Sequence, residues 1–290
     1  MTRAGARRVL VVRLDGAGDV LLAGPAVRAV AARGGDGPPA VTLLCGPAGA
    51  AAGRLLPGVA DVLTWASPWV VNPAPPIDRA ALDRLVDDLA ARAFDEAVVL
   101  TSFHQSPLPT ALVLRLAGVP RIAGASVDYP GTLLDVRLRP GSGPGDDLPD
   151  DLPEPERALA IAAAAGYRLP ADDPGGLAVV APPPVDDLLA PLGGRPYVVL
   201  HPGAAVPARR WPAEHHRATA GLLAADGLAV VVTGGPDEEA LTAHGGGPRR
   251  PGDAAVTRRV LVARLDGAGD VLLAGPAVRA VAASGAEVTL

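Results

Sequence analysis

Residues 7–32 run "RRVLVVRLDGAGDVLLAGPAVRAVAA". The apolar run "VLVV" shows no polar alternation, so it predicts a strand covered on both faces, as in the middle of a parallel sheet. "DGAGD" closes it, and Gly16 and Gly18 predict a tight strand-to-helix turn. "DVLLAGPAVRAVAA" then places its apolar residues at helical spacing and stops at Gly34 and Gly35. "AVTLLCG" (Ala40 to Gly46) is the next strand. Strand, helix, strand in this order is a βαβ unit, whose crossover is right-handed in nearly all proteins. This stretch therefore decides the class: α/β with a parallel sheet.

The alternation continues outward. "VADVLTW" predicts a third strand, Asp78 to Ala93 an amphipathic helix, Asp95 to Ser102 a strand, "PTALVLRLAGV" a helix ending at Gly118, and "RIAG" a further short strand. Such a series describes a doubly wound domain over residues 7–170. Arg139 to Pro155, rich in Pro, Gly and Asp, predicts an exposed loop, and "ERALAIAAAAGY" a helix after it. "PPPVDDLLAPLGGRP" predicts a linker with a short helical turn. A second α/β region opens at "YVVLHPGAA" (Tyr197 to Ala205) and runs through a helix to the strand "LAVVVTGGP". The expected divisions are an N-terminal Rossmann-like domain over 1–185, a partial second domain over 186–245, a linker over 246–257 and a further unit over 258–290.

That last unit is a near copy of the opening. Arg258 to Ala283 repeats residues 7–32 except that Ala263 stands in place of Val12, and "EVTL" (Glu287 to Leu290) matches "AVTL" (Ala40 to Leu43). Three readings compete: an incomplete or misjoined gene product, a tandem duplication, and a second βα unit that docks beside the "VVLHPG" and "AVVVTGG" strands to complete a small sheet.

Composition narrows the function classes. Hydrophobic residues make up 49% and charged residues 20%, which supports a real core; aromatic residues make up only 3%, so that core is built of Ala, Val and Leu. Every basic residue is arginine, and the net charge of −5 offers nucleic acid no bulk attraction. The single cysteine, Cys45, sits in an apolar run and predicts a buried, inert thiol. There is no uninterrupted apolar run of spanning length and no signal-peptide core, so the expectation is a cytoplasmic protein without a transmembrane helix.

Three stretches can carry chemistry. In the first, Asp19 stands at the start of a helix beside the carboxyl end of the first strand, where open α/β sheets bind ligands; it is either a cap of that helix or a functional carboxylate. Gly16 and Gly18 beside it offer a helix N-terminus to an anionic group. The dinucleotide fingerprint fails, because its third glycine falls on Leu21 and no acidic residue ends the second strand. In the second, "HPGAAVPARRWP" (His201 to Pro212) sets Arg209 and Arg210 ahead of a helix, as phosphate ligands or as solvated arginines. In the third, "TGGPDEE" turns the chain at Gly234 and Gly235 after a strand.

The segments "VLVVRLDGAGDVLLAGPAVRAV", "DEAVVLTSFHQSPLPTALVLRLAGVPRIAG", "VVLHPGAAVPARRWPAEHH" and "VVVTGGPDE", in this order, resemble glycosyltransferase family 9, the ADP-heptose:lipopolysaccharide heptosyltransferase-like enzymes. The resemblance implies a glycosyltransferase B-like fold of two Rossmann-like domains, the second incomplete here. It implies inverting, metal-independent transfer of a heptose-like sugar from a nucleotide diphosphate donor to a cell-envelope glycan or lipid-linked acceptor, with no cofactor. The family's Gly-Asp-Val aspartate falls on Asp19, as general base for the acceptor hydroxyl. Its basic residue before the Trp-Pro pair falls on Arg209, to neutralise the departing diphosphate. Donor or phosphate contacts are implied for Gly16, Gly18, His201, Gly203, Arg210, Gly234 and Gly235, and acceptor-side contacts for Ser102 and His104. A peripheral contact with a membrane surface is compatible with such an acceptor. The family's later Asp-Thr-Gly-Pro-like turn is missing after "TGGPDE", which predicts impaired transfer; the alternative is a non-catalytic remnant that keeps an anion- or acceptor-binding α/β domain.

Overall fold

The computed structural model describes residues 6–32, 38–102, 105–182, 184–204, 210–234 and 238, together with the backbone of 259–261 and 287–289. The chain divides into two compact units, 1–182 and 183–290.

The first unit holds six parallel strands: β1 (Arg8–Arg13), β2 (Ala40–Cys45), β3 (Val59–Thr64), β4 (Glu96–Val99), β5 (Ile122–Ala125) and β6 (Val136–Leu138). Their order in the sheet is β3-β2-β1-β4-β5-β6. The central strands are buried except at Arg8 and Ala40, the first residues of β1 and β2, and the edge strands β3 and β6 are largely not, which is why only the former read as continuous apolar runs. The sixth strand, β6, is an addition to the expected series.

Alternate side chains of β1 enter two cores. Val9 and Val11 join the apolar faces of α1 (Ala17–Leu22), α2 (Gly24–Ala32) and α6 (Glu154–Ala164). Leu10, Val12 and Leu14 join those of α4 (Arg79–Arg92) and α5 (Leu108–Leu116). A short helix, α3 (Ala50–Gly53), follows β2. The expected single helix after β1 is two helices parted at Ala23. Pro25 supplies the reason, since it has no N–H for the carbonyl one turn back and its ring crowds that carbonyl. The Arg139 to Pro155 segment is mostly exposed, half-buried at Pro140, Gly141 and Leu152 and where Glu154 and Pro155 open α6, and wholly buried at Leu148, which pins it to the core.

At the amino edge of the sheet the wholly buried Glu96 carboxylate receives Arg7 (2.6 Å), the Tyr167 hydroxyl (2.8 Å) and the Arg121 guanidinium. One buried anion thereby ties the strands' starts to the segment after α6, and with partners on both oxygens its desolvation is offset. Cys45 is fully buried with its Sγ 3.8 Å from the Leu63 carbonyl, and burial pushes its thiol pKa up, as expected of an inert thiol.

In the second unit α7 (Asp186–Leu189) precedes β7 (Tyr197–Leu200), α8 (Ala213–Ala225) and β8 (Ala229–Val232), with β7 and β8 parallel. Val198, Leu200 and Ala220 form its small core. β9 (Arg259–Leu261) pairs in parallel with β10 (Glu287–Thr289) as a separate two-stranded sheet. Of the three readings of the repeat only the docking one is touched: among the described residues β9 lies close to β7 without sharing a ladder with it, and the repeat's two strands pair with each other.

Candidate active site

Strand order reverses between β1 and β4, since α1 and α2 leave β1 on one face while α4 and α5 flank β4 on the other. The crevice at the carboxyl ends of such neighbours is where doubly wound folds bind ligands. Arg13 ends β1 at this point with only 2% of its side chain exposed. A buried guanidinium must be paired, and three carboxylates surround it. Nη2 donates to Asp19 Oδ1 (3.1 Å) and to Ser102 Oγ (2.6 Å), and Nη1 donates to Glu154 Oε2 (3.2 Å). Nε lies 3.0 Å from Asp15 Oδ2, off the line of its N–H, so that approach is a charge contact rather than a hydrogen bond. Gln105 Nε2 donates to the other oxygen of Asp15 (2.6 Å). Arg157, 4% exposed on α6, adds a second cation; burial pulls its pKa down, Glu154 and Asp150 pull it up, and Arg13 opposes them.

The three carboxylates differ in access. Side-chain exposure is 10% for Asp15, 26% for Glu154 and 39% for Asp19. Asp19 alone combines a fixed oxygen with broad access to a ligand at the sheet's edge. It does not cap its helix: Gly16 is the N-cap, no side chain caps that end, and Asp19 lies in the first turn bonded to Arg13. The cap reading is thus corrected. The tight strand-to-helix turn is present, with β1 ending at Arg13 and α1 starting at Ala17, but it needs no left-handed glycine: Gly16 is extended (φ −74°, ψ 179°), Gly18 lies within α1, and neither has a positive φ. The space above Gly16 is open, with nothing within 4 Å of where a Cβ would stand. The glycine that a close approach does require is Gly46, unforeseen in the sequence reading: a Cβ there would lie 2.4 Å from the Leu14 carbonyl oxygen. Only a glycine at 46 lets the β2 exit pass against the Leu14–Asp15 backbone that leads into α1 and Asp19.

Ser102 joins the cluster through Arg13, while His104 lies outside the described residues. Arg13, Gln105 and Glu154 were also missed. An arginine inside an otherwise apolar strand was the available signal for Arg13, since such residues are buried only when paired; nothing in the local sequence marks the other two.

The second unit shows its own cluster at the carboxyl ends of β7 and β8. His201 Nδ1 lies 3.2 Å from Thr233 Oγ1, and the Thr233 N–H donates to the Leu200 carbonyl (2.9 Å). The "HPG" turn is closed by Arg210, whose Nε donates to the Ala204 carbonyl (2.8 Å). Gly203 is buried beneath the Glu238 carboxylate, which occupies the space a Cβ would need. Trp211 packs against His215 and His216, with ring centroids 4.9 and 5.3 Å away. Gly234 is exposed just past β8. Arg209 and Gly235 lie outside the described residues. Among the described residues no group of three or more His, Cys, Asp and Glu side chains is placed to hold a metal ion, and no helix is long and apolar enough to cross a membrane.

Residues 148–245, about a third of the chain, match the family model of glycosyltransferase family 9 (heptosyltransferase). No curated protein matches the chain in sequence. Among solved structures, the chain is similar to the Escherichia coli ADP-heptose lps heptosyltransferase II at a TM-score of 0.56 and 21% identity, with 81% of this chain and 66% of that one covered. It is similar to E. coli heptosyltransferase WaaC with ADP at 0.55 and 20% identity, covering 81% and 69%. A glycosyl transferase family 9 structure from Veillonella parvula DSM 2008 gives 0.58 at 16% identity, covering 81% and 64%. The chain thus spans about two thirds of the length of these proteins, and at such identities the likeness is one of fold. Family match and fold together support a glycosyltransferase.

Proposed function

We propose that this chain, matched over residues 148–245 by glycosyltransferase family 9, transfers a sugar from a nucleotide diphosphate donor to an acceptor hydroxyl with inversion at the anomeric carbon. The observation that carries the reading is the Arg13 cluster, in which Asp19 is the most exposed of three carboxylates fixed at the switch point of the sheet.

In the proposed reaction Asp19 accepts the proton of the acceptor hydroxyl as its oxygen attacks the anomeric carbon. The bond from that carbon to the diphosphate oxygen breaks, and the nucleoside diphosphate leaves with the electron pair. Arg13 would serve as a positioning residue: it holds one Asp19 oxygen 3.1 Å from Nη2, so the carboxylate meets the acceptor in one orientation. On the donor side His201, Gly203, Arg210 and Gly234 cluster at the carboxyl edge of the second unit, and Arg209 is assigned the leaving diphosphate's charge by its place before Trp211 and Pro212. The neighbouring WaaC structure is described with ADP, which favours an adenosine diphosphate donor carrying a heptose-like sugar. A cell-envelope glycan as acceptor, and a cytoplasmic site of action with at most peripheral membrane contact, complete the proposal.

One observation favours a second reading, binding without turnover: no Asp-Thr-Gly-Pro-like turn follows "TGGPDE". A single assay separates the two. The chain is incubated with ADP-heptose and a deacylated core oligosaccharide, and ADP release and ADP binding are both measured. Impaired, slow transfer is expected, because the Asp-Thr-Gly-Pro-like turn is missing after "TGGPDE", with Asp19→Asn lowering the remaining kcat by about 10²–10⁴-fold, the usual worth of a general base, and leaving ADP affinity unchanged. Turnover that survives Asp19→Asn overturns the assignment of the base. ADP binding with no turnover by the unaltered chain selects the second reading.

A further inference from the structure

Arg13 divides its fork. Nη2 serves Asp19 (3.1 Å) and Ser102 (2.6 Å), while Nη1 serves Glu154 (3.2 Å), which arrives on the first turn of α6. We propose that Glu154 is a positioning residue for the general base: its charge on the second arm of Arg13 offsets that cation's hold on Asp19, so the Asp19 carboxylate keeps its power to accept a proton. This role rests on the glycosyl-transfer reading and adds how the strength of its base is set.

Three observations carry the assignment. The first is the balance of charge. A guanidinium facing one carboxylate favours its charged form and makes it a weaker base, and a second carboxylate close by opposes that effect. Arg13 is 2% exposed and faces Asp15, Asp19 and Glu154. The second is Arg157, a cation 4% exposed and one turn along α6 from Glu154. Burial lowers its pKa, and of the carboxylates that raise it Glu154 outweighs Asp150. Glu154 therefore acts on both buried cations, whereas Asp15 makes its contacts with Arg13 and Gln105. With Glu154 neutral, Arg13 and Arg157 would face only Asp15 and Asp19 at the centre of the cluster. The third is the lack of competing charge on the other elements against α1 among the described residues. Residues 47–49 and α3 carry none, α2 carries only Arg28, and Arg28 is bound to Asp173 through two nitrogens. Arg54 just past α3, and Asp150 and Glu156 around the start of α6, are exposed, where water and salt screen them.

The test uses the full chain labelled with carboxyl-carbon-13 aspartate. The Asp19 resonance is assigned by its loss in Asp19→Asn and followed by NMR between about pH 3 and 7, across the ordinary carboxylate range. Glu154→Gln keeps an oxygen for Arg13 Nη1 and removes the charge, whereas Glu154→Asp keeps the charge. The Asp19 midpoint is expected to fall by about one pH unit in Glu154→Gln, the smaller effect of a neighbouring charge, and to hold in Glu154→Asp. In Glu154→Gln kcat is expected to fall about three- to tenfold as the base weakens, with its acid limb moved to lower pH and ADP affinity unchanged. An Asp19 midpoint that does not fall in Glu154→Gln, or falls equally in Glu154→Asp, overturns the role, even where both variants lose urea resistance as a merely structural ion pair would make them. A midpoint that falls as expected in a chain without turnover leaves the charge arrangement standing and selects binding without turnover.

Discussion

A single arginine organises the candidate site. Arg13 is 2% exposed and reaches Asp19, Ser102 and Glu154 through its two terminal nitrogens while Asp15 sits against Nε. Removing it would leave three carboxylates crowded around an empty space. Arg13→Met is therefore expected to destabilise the chain by about 3–5 kcal/mol, the cost of uncovering buried partners, read as a fall in the urea midpoint. Arg13→Lys keeps the charge but not the fork, so it is expected to lose less stability while disturbing the orientation of Asp19. Stability and transfer rate separate in this pair, and an equal loss of both in the lysine variant would count against a positioning role.

At the scale of elements, the site is made by strand ends and the segments that leave them. β1 delivers Arg13, the helix after it delivers Asp19, the exit of β4 delivers Ser102 and Gln105, and the first turn of α6 delivers Glu154. Glu154 and Glu156 also face the positive end of the α6 dipole, which stabilises that helix where it meets Arg13. Among the described glycines, the tightest approach to backbone lies at Gly46. A methyl group there would stand 2.4 Å from the Leu14 carbonyl oxygen, and backbone rather than a movable side chain would have to yield. Gly46→Ala is expected to cost about 1–3 kcal/mol by overpacking and to lower transfer by displacing Asp15 and Asp19; an alanine variant with full stability and rate would show that the β2 exit does not brace the site.

At the scale of the whole molecule, the first unit is closed by a distant ion pair. Arg28 on α2 binds Asp173 through two nitrogens (2.6 and 2.9 Å) and caps the Gly176 carbonyl (2.8 Å), fastening the segment after α6 across the helical layer. The Arg28 hydrogen bond, helped by the Gly175 N–H, lowers the Asp173 pKa to about 2. An unfolded aspartate titrates near about 3.9. The folded state thus binds fewer protons, and the stabilisation is complete above about pH 4 and lost as pH falls through about 2. Asp173→Asn is expected to flatten that part of the acid limb; urea midpoints measured between about pH 2 and 6 that keep the same slope in the variant would remove the pair from the account.

Some of this was legible locally. The repeat demonstrates how much: Arg259, Val260 and Leu261 pair with Glu287, Val288 and Thr289 in the register in which Arg8, Val9 and Leu10 pair with Ala40, Val41 and Thr42. Two apolar strands joined by a short connection determine their own pairing, because the hydrophobic pattern leaves few alternatives. Asp19 was visible as a carboxylate at the start of a helix, whereas Arg13 was overlooked although an arginine at the end of an apolar strand was a readable signal. The site as a constellation was not visible. Ser102 lies 89 residues from Arg13 and Glu154 lies 141. They meet only because β4 docks against the free side of β1 and α6 returns across the face shared with α2. That choice of neighbours is decided by the packing of whole layers. Local sequence determined the strands, the helices and their short-range register; the tertiary structure alone decided which three carboxylates share one buried cation.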